Sequence, residues 1–69
     1  RSMHTISFYN AENSNPLVGA EWPAIPRVGE FILFRDNYDA DWQVEAVRWR
    51  ENADETIAIE VFIALVEDE

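Results

Sequence analysis

A chain of 69 residues has room for one small core, since at this size only about 60% of the unfolded surface is hidden on folding. It contains no cysteine, no lysine and a single histidine, His4, which excludes a disulfide framework, thiolate metal sites and Schiff-base chemistry. Fourteen acidic residues against five arginines give a net charge of -9, a field that repels nucleic-acid backbones and anionic membranes and attracts basic partners. The same charge also keeps a small hydrophobic protein in solution.

Arg1-Ser2 ahead of Met3 has the look of an expression-tag remnant, so a single domain is expected over residues 3–69. No basic segment leads into an apolar run, and no apolar run is long enough to span a bilayer as a helix. A cytoplasmic location is the expectation.

From His4 to Tyr9 the residues alternate, His4, Ile6 and Phe8 on one side and Thr5, Ser7 and Tyr9 on the other, which predicts a half-buried first strand. Asn10 to Arg27 carries Asn-Ser-Asn-Pro, Trp22-Pro23 and Ile25-Pro26 without a sustained period. That stretch reads as one long connecting loop, with Leu17, Val18, Trp22 and Ile25 packed back onto the domain and room for a short helical turn.

A second strand is predicted over Val28 to Arg35, where the consecutive apolar residues Phe31, Ile32, Leu33 and Phe34 require cover on both faces. Asp36 to Asp41 reads as a turn. The third strand runs from Trp42 to about Arg50, with Trp42 and Val44 in one phase and Val47 and Trp49 in the other. One extra residue flips the inward face, so the pattern predicts a β-bulge at Glu45 or Ala46 that lets all four side chains point inward.

Arg50 to Glu55 is a polar hairpin loop. Beyond it Ile57, Ile59, Val61, Ile63 and Leu65 alternate with Ala58, Glu60, Phe62, Ala64 and Val66, a long fourth strand with the β-branched content of a sheet. Four or five antiparallel strands with a strong bend in the third make an all-β fold, a small barrel or strongly curled sheet.

Pro26-Arg27-Val28-Gly29-Glu30-Phe31-Ile32 followed by Trp42-Gln43-Val44-Glu45-Ala46-Val47-Arg48-Trp49 resembles small Src-homology-3-like (SH3-like) barrel proteins of phages and mobile elements, including integron gene cassettes. The resemblance implies a barrel of about five short strands and carries no activity. The alanine, leucine, tyrosine, aspartate, tyrosine stretch of the peptide-binding members of that fold has no counterpart here, so their ligand class does not transfer.

No catalytic constellation emerges. Ser7 and His4 lie on opposite sides of the first strand and make no nucleophile–base pair. Asp36, Asp39 and Asp41 crowd one turn without the glycine and distal glutamate of a calcium-binding loop, so neither a metal nor another cofactor is expected. Arg48-Trp49-Arg50, with Arg35, offers a stripe for stacking on bases, but arginines flanking an inward tryptophan point outward, toward acids on neighbouring strands. Nucleic acid is therefore not the expected partner.

The aromatic inventory is larger than one small core requires. With Phe31 and Leu33 inward, the residues Ile32, Phe34, Phe62 and Val66 face out, joined by Trp22 from the long loop, and form a candidate apolar binding face flanked by acids. The expected function is a non-enzymatic protein-interaction module that binds a partner or itself, with a homodimer favoured. An acidic decoy that mimics nucleic acid toward a basic protein is the alternative, and a small acid–base enzyme using Asp and Glu a more distant one.

Overall fold

The computed structural model describes residues 3–66. Among the described residues five strands follow one another without a helix: β1 (His4–Asn10), β2 (Pro16–Trp22), β3 (Phe31–Phe34), β4 (Asn37–Glu51) and β5 (Ile57–Leu65). They form one strongly curled sheet in the order β2-β1-β5-β4-β3, a half-barrel that agrees with the all-β, SH3-like barrel class expected from the sequence. The β1–β5 pairing is parallel; the other three are antiparallel.

Cross-strand partners assign every side chain to a face. Ile6 stands beside Ile59 and Phe8 beside Val61, while Val47 and Val44 stand opposite Val61 and Ile63. Apart from Val47, which is partly buried and packs against them, these residues form the buried core on the concave face with Ile32; each core residue contributes about 1.5–3 kcal/mol by leaving water. The expected phases of β1 and β5 are both present.

The register of β4 against β5 shifts between Val44 and Ala46, which places the bulge at Glu45, one of the two positions the pattern predicted. Trp42, Val44 and Val47 all pack on the core as a result. Trp49 shares their face, opposite Ile59, yet is 59% exposed, because β3 reaches only to Gln43 and leaves this end of the concave face uncovered.

Three elements differ from the sequence expectation. The loop expected over Asn10–Arg27 contains β2, an antiparallel partner of β1, entered through a tight turn in which Asn10 Oδ1 accepts the Glu12 N–H at 2.8 Å and Asn13 Oδ1 the Asn15 N–H at 2.9 Å. Leu17 and Val18 in it are exposed, while Trp22 and Ile25 pack on the core as expected. The turn expected over Asp36–Asp41 is confined to Arg35-Asp36, and β4 begins at Asn37.

β3 is also shorter than expected and opposite in phase. Ile32 is buried and Phe34 packs on the core, whereas Phe31 and Leu33 are exposed. A turn sets this phase: Glu30 N–H donates to Arg27 O at 3.1 Å across Val28-Gly29, with Gly29 at φ +95°, the left-handed position that glycine fills without strain. Gly29 N–H and Val44 N–H then bond to Val44 O and Glu30 O, fixing Ile32 inward opposite Trp42.

Candidate functional site

An up-and-down order of five strands closes into a barrel only if β2 also pairs with β3. It does not: they are the two ends of the sheet. Each therefore presents an edge whose outward backbone groups lack a ladder partner. The connection between them, Pro23 to Glu30, holds Pro23 and Pro26, which donate no backbone hydrogen bond and keep the chain from continuing either strand.

Side chains alone span the resulting seam. Phe8 lies at its floor, 5.0 Å from the Trp22 ring and 5.3 Å from the Phe34 ring in an edge-on arrangement; Trp22 and Phe34 meet at 6.2 Å. Above this cluster runs a groove of about 490 Å³ walled by Val18, Ala20 and Trp22 on the β2 side and by Leu33, Phe34 and Tyr38 on the other. An adjoining apolar recess of about 230 Å³ between Val18, Phe34 and Trp42 continues it. Glu21 and Asp36 stand at opposite lips, with Arg35 beside Asp36.

The five residues expected to form one apolar face are thus divided. Ile32 is 6% exposed and belongs to the core; Phe34 and Trp22 turn toward the concave side and meet across the seam. Phe62 lies on the convex face, half-buried and stacked on Tyr9 at 5.4 Å. Val66 follows β5, its N–H donating to Asp41 O at 2.8 Å. The outer-face expectation fails because four consecutive apolar residues carry no phase of their own. Leu33, Val18 and Tyr38 are not part of the face expected from the sequence, and only the position of β2 and β3 at the two ends of the sheet brings them together.

The convex face carries a second polar cluster. Glu60, 2% exposed, accepts Arg48 Nε and Nη2 at 2.7 and 2.6 Å on Oε1 and Arg50 Nη1 at 2.8 Å on Oε2. The Arg48 guanidinium also lies 5.3 Å from the centre of the Phe62 ring, a cation–π distance. Arg48 and Arg50 are therefore occupied by cross-strand pairing, as their alternation implied, and brace β4 against β5, whereas Arg35, expected to extend the stripe, lies at the groove between β2 and β3. No buried side-chain nitrogen or oxygen lacks a partner among the described residues.

His4 pairs with Trp22 and Ser7 with Gly19, so the histidine and the serine point to opposite faces of β1 and make no dyad. Among the described residues no group of His, Asp and Glu side chains is arranged to hold a metal ion, and no helix is long and apolar enough to cross a membrane. Comparison of the chain with protein families, with curated proteins and with solved structures finds no match.

Proposed function

We propose that this chain is a non-enzymatic protein-interaction module that receives an extended segment of another protein along the open seam between β2 and β3. The single observation that carries this reading is an unpartnered strand edge beside a groove whose walls include Val18, Ala20, Trp22, Leu33 and Phe34 and whose lips are charged. Strand addition needs both parts: backbone groups that supply affinity and side-chain pockets that select sequence. Over Leu17-Val18-Gly19-Ala20 the edge of β2 carries neither charge nor proline, two of the devices that ordinarily keep edges from pairing; Pro16 and Glu21 bound that stretch.

Screening a displayed library of short extended peptides tests this, with binding mapped by amide chemical shifts. Shifts concentrated at Val18, Ala20, Trp22 and Leu33 support the reading. Absence of any binder, or shifts centred on Tyr9 and Phe62, overturns it.

A second reading, the acidic decoy for a basic nucleic-acid-binding protein, draws on the net charge of -9 and on the exposed Asp36, Asp39 and Asp41 around the β3–β4 turn. Its binding would collapse with rising salt and would survive loss of the groove's apolar walls.

A further inference from the structure

The groove also defines the chemistry of its occupant, an inference that rests on the strand-addition reading above. We infer that the seam takes a strand in which apolar and basic residues alternate, running antiparallel to β2.

β2 is the longer of the two edges, with seven residues against four in β3, and antiparallel ladders are slightly more stable per residue than parallel ones. An added strand therefore takes its ladder from β2, and β3 supplies side-chain contacts. Cross-strand neighbours share a face, so residues opposite Val18, Ala20 and Trp22 enter the groove toward Phe34 and Trp42. Those positions require apolar side chains. Residues opposite Gly19 and Glu21 face the convex side, as Ser7 and Thr5 do, and there the Glu21 carboxylate favours a cation.

Charge decides against a second copy of this chain as the occupant. Each copy carries -9, and two such charges brought edge to edge repel, whereas a basic segment is drawn in by the same field. Asp36 on the far lip adds to that preference. Its neighbour Arg35 lowers the local bias without reversing it, since Glu21 and Asp36 together outnumber it.

The probe is a capped seven-residue peptide alternating Val and Lys, matched in length to β2, with a Val/Glu peptide as its counterpart. Both are titrated calorimetrically into the full chain and into the variant Glu21→Lys/Asp36→Lys, whose altered side chains are exposed and leave the core intact. The wild type should bind the Val/Lys peptide, and the variant should bind it at least about two- to fivefold more weakly, the range for a lost or inverted cross-strand charge pair. The Val/Glu peptide should show the opposite preference.

Equal affinity of the wild type for both peptides, or an unchanged Val/Lys affinity in the variant, overturns the inference while leaving seam binding by library peptides standing. A wild type that binds neither peptide and sediments as a dimer through this seam overturns it in favour of self-association.

Discussion

Trp22 and Phe34 lie with ring centroids 6.2 Å apart although their strands, β2 and β3, sit at opposite ends of the sheet. The open side of the half-barrel is thus bridged by aromatic contact over the buried ring of Phe8. A double-mutant cycle of Trp22→Ala and Phe34→Ala, read from urea unfolding, should give a coupling of about 0.5–1.5 kcal/mol, the range for a tilted aromatic pair. Additive losses would mean that the rings do not support one another. Phe8→Ala should cost about 3–5 kcal/mol, enough to unfold a domain of this size.

The bulge at Glu45 yields a prediction about register. Removing Glu45 leaves Val44, Ala46, Val47, Arg48 and Trp49 opposite Ile63, Phe62, Val61, Glu60 and Ile59 in an unbroken ladder, so that Val47 and Trp49 keep the inner face and Arg48 the outer one while the local bend is lost. The deletion variant should fold and retain the near-ultraviolet dichroism of the tryptophans; loss of that signal would contradict this placement of the extra residue. Glu45→Ala keeps the extra residue and should remain within about 0.5 kcal/mol of the wild type, since the side chain is exposed.

Glu60 and its two arginines should respond asymmetrically. Glu60→Leu removes a buried carboxylate and leaves two guanidiniums that are already more than half exposed, so a cost of about 1 kcal/mol or less is expected. Arg48→Met/Arg50→Met instead strands the carboxylate without a partner. About 2–3 kcal/mol is expected, below the range for fully buried pairs because solvent screens this one. Equal losses in urea unfolding would contradict this.

The β4–β5 hairpin loop supplies a pH dependence. The Thr56 hydroxyl, donating to Asp54 Oδ1 at 2.6 Å, and then the Thr56 N–H at 3.1 Å hold the Asp54 carboxyl below its ordinary 3.8. A folded value below the unfolded one means that this contribution is fully present above about pH 3.8 and is lost as pH falls through the folded value. Carbon-13 titration should place Asp54 below 3.8 in the wild type and higher in Thr56→Val. Identical midpoints would show that the hydroxyl is not the cause.

Strands with a phase were legible in the sequence. Ile6 and Phe8 in β1, the series Ile57 to Leu65 in β5, and the out-of-step Val44 and Val47 in β4 each announce an inner face, because branched or aromatic apolar residues recur along one side of the strand. β2 was illegible for the converse reason: an edge strand with four exposed residues from Pro16 to Gly19 has no burial to imprint an alternation, and Pro16, Gly19 and Pro23 read as loop. β3 was located but inverted, since Phe31-Ile32-Leu33-Phe34 is apolar at every position and its phase comes from the hydrogen bonds of Gly29 and Glu30 to Val44. The seam inherits both difficulties. Trp22 and Phe34 were singled out as excess aromatic surface, but only the missing β2–β3 ladder shows where that surface lies.

Amide hydrogen exchange, with and without the Val/Lys peptide, tests the open seam most directly. In the free protein the central amides of β5, paired on both sides, should be the most protected, and the seam-facing amides of β2 should exchange rapidly. Saturating peptide should protect those β2 amides and leave Ser7 and Tyr9 unchanged. Uniform protection of β2 in the free protein, or peptide-induced protection confined to the convex face, would contradict the account.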